Sequence, residues 1–288
     1  MNQIKKSGIV GLGKVGLTLA RDLFNRNQLL WLCSESYIPE LVLEEFPGVE
    51  FNKNISSITS LSDILIIAKA DKYISETLNT LRNQFGSSLS GKVIMHLSGS
   101  KGIELFKEFD ETGAFTASAH PYQTFYNPDP SILKDICWGV QTNHSFELIE
   151  QIISGFGGKA INITHLSTLE KTLYHASAVT VSNYLNTLAA LGRSIAKSAG
   201  IDPELFIPPI MKTTLENNFV SDDIPLTGPI ARADIETLVS HLEALTDYPL
   251  NLRSYCLIGL TTADRAYSSE ILSKEMYEKI NQLFKKYL

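Results

Sequence analysis

Lys171 and His175 stand four residues apart in a stretch of helical apolar spacing, which puts both side chains on one face. A lysine there can give a proton to, or take one from, a reacting carbonyl or alcohol oxygen. A histidine can do the same near neutral pH. His120 follows an apolar run at 114–119 and precedes Pro121. That places it on a loop held by a rigid element, where functional groups concentrate. His96 ends a similar run and could support that group, whereas His144, His165 and His241 read as surface or packing residues. Asn183 and Arg232 are the candidate substrate-binding residues. Arg232 can grip a carboxylate or phosphate in a bidentate way, although Asp234 offers it an equally ready partner. Asn183 lies about 18 Å along a helix axis from Lys171, so it reaches the same substrate only from a second subunit and otherwise packs an interface. No spacing of His, Cys, Asp or Glu suggests a metal.

The elements that must position these groups begin at 7–16. A short apolar run enters Gly11-Leu12-Gly13-Lys14-Val15-Gly16, and 15–25 then carries Val15, Leu19 and Leu23 at helical spacing. Strand, glycine turn and helix in that order is the setting of a dinucleotide fingerprint. Gly11 permits the tight turn, Gly13 lets backbone approach a pyrophosphate, and Gly16 lets helix pack closely on strand. The free N–H groups of the helix start then face the anion. A second strand, 29–33, ends at Ser34-Glu35-Ser36, where an adenosine ribose is expected. Glu35 suits a ribose 2′-hydroxyl and repels a 2′-phosphate, while Ser34, Ser36 and Lys14 could hold one. The cofactor expectation is therefore NADP or NAD.

Further strands are expected at 49–51, 63–68, 92–97, 114–119, 140–142 and 160–163. Helices fall at 72–84, where Asp71 reads as the N-cap, at 102–109 and at 146–156. Continuous apolar runs such as Ile64 to Ile67 suit a parallel sheet covered on both faces. Ala70, Ser98 and Gly99 lie just past strand ends and are candidate cofactor walls. Strands stop after Ile163. Ser167-x-x-Glu170 is a capping box, and the helix it opens should run about 30 residues to Gly200. Apolar residues on nearly every side of that helix imply burial on most sides by its own domain, to which a second subunit could add. Helices at 203–218, 229–245, 254–267 and 273–287 follow. The expected fold is a doubly wound Rossmann-like α/β domain, 1–165, followed by an all-α domain, 166–288, built on one long helix.

The net charge is −6 with both signs interspersed, so there is no basic stripe for nucleic acid. Cys33, Cys137 and Cys256 have no paired spacing and read as small buried hydrophobes in a reducing compartment. The glycine loop interrupts any signal-peptide core, and the most apolar stretch, 176–199, contains Asn183, Arg193 and Lys197, so no membrane span is expected. The chain reads as cytoplasmic.

Taken with His96-Leu97-Ser98-Gly99, His120-Pro121-Tyr122-Gln123-Thr124-Phe125, Lys171-x-x-Tyr174-His175, Ser182-Asn183-Tyr184 and Leu226-Thr227-Gly228-Pro229-x-x-Arg232-x-Asp234, the glycine loop carries a resemblance over essentially the whole chain. The first half resembles the NAD(P)-binding domain of pyrroline-5-carboxylate reductases, ketopantoate reductases and deazaflavin-linked NADP oxidoreductases. The second resembles the helical domain of unknown function found in NADP oxidoreductases of this type, with a 6-phosphogluconate dehydrogenase C-terminal-like architecture. The resemblance implies a homodimer built through the helical domain. Within the wider superfamily, Lys171 matches the catalytic lysine of β-hydroxyacid dehydrogenases, but His175 stands where their asparagine would be. Glu35 replaces a common arginine, and Ala233 a usual glycine.

These features together imply an NAD(P)-dependent oxidoreductase moving hydride between nicotinamide and a small carbonyl, imine or hydroxy substrate in a cleft between domains. Lys171 would be the proton donor or acceptor, with His175 and His120 orienting or polarising the substrate. A non-catalytic dinucleotide-binding sensor or scaffold is the alternative, because fold alone does not establish chemistry.

Overall fold

The computed structural model describes residues 5–36, 38–220 and 225–288. From the N-terminus the chain forms β1 (Ser7–Val10), α1 (Lys14–Asn25), β2 (Leu29–Cys33), α2 (Glu40–Glu44), β3 (Glu50–Asn52), β4 (Ile64–Ile67), α3 (Ile74–Phe85), β5 (Val93–His96), β6 (Phe115–Pro121), β7 (Cys137–Thr142), α4 (Phe146–Gly155) and β8 (Lys159–Asn162). There follow α5 (Thr168–Val179), α6 (Leu185–Ser198), α7 (Pro203–Val220), α8 (Ile235–Ala244), α9 (Pro249–Ser268) and α10 (Lys274–Lys286). Contacts divide the chain into two compact units, Met1–Ser182 and Asn183–Leu288.

The first unit is one sheet in the order β3-β2-β1-β4-β5-β6-β7-β8. β1 to β6 are parallel, β7 runs antiparallel to β6, and β8 is parallel to β7. The strand order reverses between β1 and β4. Connections leave those two strands in opposite directions and open a crevice at their C-terminal ends. β1, β4 and β5 are buried at every residue, because helices cover both faces. Leu19 and Leu23 of α1 and Ile149 and Ile153 of α4 pack with Ile9, Ile66 and Trp138 on one side. Ile74, Leu78 and Leu81 of α3 pack with Val10, Leu65 and Phe106 on the other. Each such side chain contributes roughly 1.5–3 kcal/mol by leaving water.

Several local expectations are corrected. β6 continues through His120 to Pro121, paired with Gly139 and Trp138 of β7, so His120 sits at a strand end and not on a loop. Asp71 does not cap α3. It opens a short 3-10 turn, Asp71–Tyr73, and accepts the Ser100 hydroxyl at 2.6 Å. The segment at 102–109 forms only a 3-10 turn, Ile103–Phe106. Cys137 is exposed, unlike Cys33 and Cys256.

The expected single helix after Ser167 is α5 and α6 joined by a π turn, Thr180–Tyr184. In the single chain it is far from buried. Leu169, Leu173, Val181, Tyr184 and Leu188 are exposed, and Lys171, Ala189 and Ala196 are its buried residues. α5 lies in the first unit, so the strands end well before that unit does.

In the second unit α8, α9 and α10 close a core of Leu238, Leu242, Cys256, Ala263, Ile280 and Phe284. Gly259 is glycine because a Cβ there would collide with the Phe284 ring. α8 begins only at Ile235, not at Pro229. Asp234 caps it, accepting from Thr237 N at 3.1 Å and Thr237 Oγ1 at 2.8 Å. α9 begins at Pro249, five residues before the expected Ser254. No described helix is long and apolar enough to cross a membrane.

Candidate active site

The crevice between β1 and β4 is built by three glycines with different duties. Gly11 has φ +96°, in the left-handed region that favours glycine, and a Cβ there would stand 2.6 Å from Ala68 O. A Cβ on Gly16 would collide with the Gly11 carbonyl, which is why α1 can approach β1 so closely. Around Gly13 there is open space. Gly13 is also the N-cap of α1, with no side chain capping it and no acidic residue in the first turn. The helix start therefore presents N–H groups and positive dipole to an open, glycine-lined cradle, a good fit for a pyrophosphate. The crevice has a volume of about 540 Å³. Leu12, Gly13, Ser34, Glu35, Ser36, Ala68, Lys69, Ala70 and Tyr73 line it together with Gly11.

Not every residue of the loop faces this space. Val15 packs into the core and Gly16 is buried. The Lys14 ammonium lies 5.9 Å from the centre of the Tyr126 ring. Glu35 does not stand alone, because Lys69 Nζ is 2.9 Å from its Oε2.

Further along the same sheet edge, a second group of side chains converges. The capping box fixes where α5 starts: Ser167 Oγ accepts from Glu170 N at 3.3 Å, and Ser167 N donates to Glu170 Oε2 at 2.8 Å. That start carries Lys171 onto β6, where Nζ donates to Ser118 Oγ at 2.6 Å. Lys171 has no exposed surface, and burial lowers its pKa from 10.5 to about 8 against the pull of Glu104 and Asp71.

One turn on, the Tyr174 hydroxyl is 3.0 Å from His120 Nδ1. Burial raises the Tyr174 phenol well above its ordinary range, so it keeps its proton. Burial, with the neighbouring His175 and Lys171, lowers His120 to about 4, so its imidazole is neutral at pH 7. A Tyr174 hydroxyl donating to Nδ1 leaves the proton on Nε2, the nitrogen that faces Gly99. The His120 and His175 rings meet edge to face, 5.5 Å between centres. His175 Nδ1 is buried without a hydrogen-bond partner. Gly99 makes room for both rings: a Cβ there would stand 2.9 Å from His120 Nε2 and collide with His175.

Behind this group, His96 is fully buried and held at about 4 by burial. Its Nε2 is 3.1 Å from Gly102 O, and its Nδ1 accepts from Ser98 N at 3.3 Å. The Ser98 hydroxyl accepts in turn from Ser100 N and Lys101 N, which holds the turn past β5 in shape. The Tyr122 hydroxyl and Ser177 Oγ, 2.6 Å apart, tie the residue just past β6 to α5 near Tyr174.

The first unit thus brings Lys171, His175, His120, Ser98 and Gly99 together. Asn183 and Arg232 belong to the second unit. Among the described residues no group of three or more His, Cys, Asp or Glu could hold a metal ion. Sequence reasoning missed Ser118, the Tyr174–His120 contact, and Asp71 as the partner of Ser100. A signal for the first was present: Thr116, Ser118 and His120 recur every second residue in an otherwise apolar strand, which puts three polar groups on one face.

Two family models match: a Rossmann-like domain over residues 2–121, and a domain of unknown function, DUF2520, over residues 136–262. The second match begins within the sheet and takes in β7, α4 and β8 as well as the helices that follow. No curated protein matches it. Solved structures do. A Bacteroides fragilis protein, proposed to be an NADP oxidoreductase, superposes with a TM-score of 0.73 at 18% identity over 88% of this chain and 96% of that one. A Thermotoga maritima protein gives 0.62 at 23% identity over 98% and 97%. A Plasmodium falciparum pyrroline carboxylate reductase with NADP bound gives 0.58 at 16% identity over 98% of each. At these identities the likeness establishes a shared fold.

Proposed function

We propose that this chain is a dinucleotide-dependent oxidoreductase acting on a small carbonyl, imine or hydroxy substrate. The observation that supports it best is Lys171: a buried ammonium on Ser118, at the sheet edge that also carries the glycine cradle. A structural lysine gains nothing from such a place, since burying a charge is costly, whereas a proton-transfer residue gains a pKa near its working pH. Gly13 and the N–H groups of α1 would hold the pyrophosphate, and Ser34, Glu35 and Ser36 the ribose. The nicotinamide supplies or accepts the hydride.

Lys171 would hold the proton that goes to the substrate oxygen or nitrogen in reduction, and would take it back in oxidation. Ser118 keeps the amine in place. His120 would donate through Nε2 to the substrate, fixed in that tautomer by Tyr174. His175 Nδ1, lacking a protein partner, would orient the same group. Asp71 and Glu104 lie close enough to favour the charged form of Lys171 without pairing with it directly.

The solved structures sharing this fold support the reading, since one holds NADP and others are reductive aminases with NADPH. The test is a thermal-shift screen with oxidised and reduced NAD and NADP, then a panel of keto acids, imines and aldehydes followed at the nicotinamide absorbance. Absence of a shift with every dinucleotide refutes the proposal. The reading includes self-association through the helical region, supported by exposed Tyr184, Leu188, Leu205, Phe206 and Ile210. A monomer mass by light scattering at all concentrations refutes that part.

A further inference from the structure

Lys69 follows β4 and lays its stem across Gly11, where a Cβ would come within 2.9 Å of Lys69 Cγ. Its ammonium is 2.9 Å from Glu35 Oε2 and 5.5 Å from the centre of the Tyr73 ring. The Lys72 ammonium lies over the same ring at 4.6 Å. The partners in the ion pair are unequal: the Lys69 side chain is 16% exposed and that of Glu35 58%. The lysine is the member fixed by packing, and the carboxylate is the one free to turn into solvent. Ser34 and Ser36 line the same wall.

We propose that Lys69 is the residue that admits a ribose 2′-phosphate to this crevice, so that the site accepts both NADP(H) and NAD(H). This rests on the dinucleotide reading above. With a 2′-hydroxyl present, Glu35 keeps its ion pair and accepts the hydroxyl proton. With a 2′-phosphate present, repulsion turns the exposed carboxylate outward and Lys69 exchanges one anion for another. The incoming group carries about −1.5 to −2 charges and three acceptor oxygens, so it is the stronger partner. Lys72, whose ammonium lies over the Tyr73 ring, adds a second positive charge near the crevice, and the Ser34 and Ser36 hydroxyls can donate to the phosphate. An exposed carboxylate–lysine pair resists such an exchange only weakly.

The experiment measures dissociation constants of NADH and NADPH for the full chain and for K69M, K69R and E35Q. Methionine keeps the apolar stem over Gly11, and thermal unfolding of each variant confirms folding. The unchanged chain should bind both cofactors. K69M should weaken NADPH by roughly 10- to 100-fold, the loss of one charge-assisted contact, and NADH by far less. K69R should restore NADPH, and E35Q should tighten NADPH while weakening NADH. Equal losses for both cofactors in K69M, no loss for NADPH, or an unchanged chain that binds one cofactor alone would each overturn the assignment. Binding of neither by the unchanged chain sinks the dinucleotide reading itself.

Discussion

Replacing Lys171 by methionine separates stability from function in opposite directions. Lys171 has no exposed surface and a pKa lowered from 10.5 to about 8 by burial. At about 1.36 kcal/mol per unit, the folded state forgoes on the order of 3 kcal/mol by keeping this amine charged at neutral pH. The sign follows from proton counts. Between pH 8 and 10.5 the unfolded chain keeps the proton and the folded chain has lost it, so stability rises with pH across that window. Below pH 8 both states are protonated and the penalty is present in full.

Methionine removes the charge at similar length, but it leaves Ser118 Oγ without the amine, a loss of about 1–3 kcal/mol if unrepaired. Ser118 still donates to Lys101 O at 3.2 Å, which argues for the lower figure. The net expectation is a gain of about 1–2 kcal/mol, roughly 2–8 °C in Tm. Turnover should fall by on the order of 10² to 10⁴ while dinucleotide binding is retained. In the unchanged chain, kcat/KM for reduction should decline above pH 8, as the donor loses its proton. The assays are calorimetry, cofactor titration and initial rates across pH. A variant that melts lower and turns over normally would show that Lys171 is a structural residue.

Three further outcomes follow from single contacts. G99A places a methyl group against the His120 and His175 rings, so on the proposed reading, in which the rings orient substrate, turnover should drop by at least about 10-fold with cofactor affinity held within about 2-fold. A proportional loss of cofactor affinity would place Gly99 in the nucleotide site. His96 is buried and neutral with a pKa of about 4. The unfolded chain binds its proton below about 6.5, so acidification from pH 6.5 to 4 should cost on the order of 3 kcal/mol, seen as a falling Tm; an H96Q variant should show a flatter dependence over that window. S167A removes the capping box at the start of α5 and should cost about 1 kcal/mol in denaturant unfolding. Because Lys171 N donates to Ser167 O at 2.9 Å, a backbone bond the variant keeps, kcat should change much less than stability.

Local spacing alone determined a large part of this protein. The order of strand, glycine turn and helix at 7–25 placed the glycine cradle, because two of its glycines answer demands of the local backbone: Gly11 a left-handed turn, Gly16 a helix start pressed against the Gly11 carbonyl. The doubly wound sheet was legible for the same reason, since strands such as Ile64–Ile67 are apolar throughout and alternate with amphipathic helices. Ser167 and Glu170 likewise mark the first turn of α5 without help from any tertiary contact.

Tertiary structure decided the rest, because the remaining groups meet across long separations. Nothing near Lys171 in the chain reveals that its amine will find Ser118, 53 residues earlier, or that His120 will meet Tyr174. The extension of β6 through His120 depended on pairing with β7, and the role of Asp71 on a hydroxyl 29 residues away. The pairing of Glu35 with Lys69 was hidden in the same way. A sequence states which side chains are able to carry a proton or bind an anion. Burial and the partner across the fold set whether they are charged, and those are properties of the packed sheet edge.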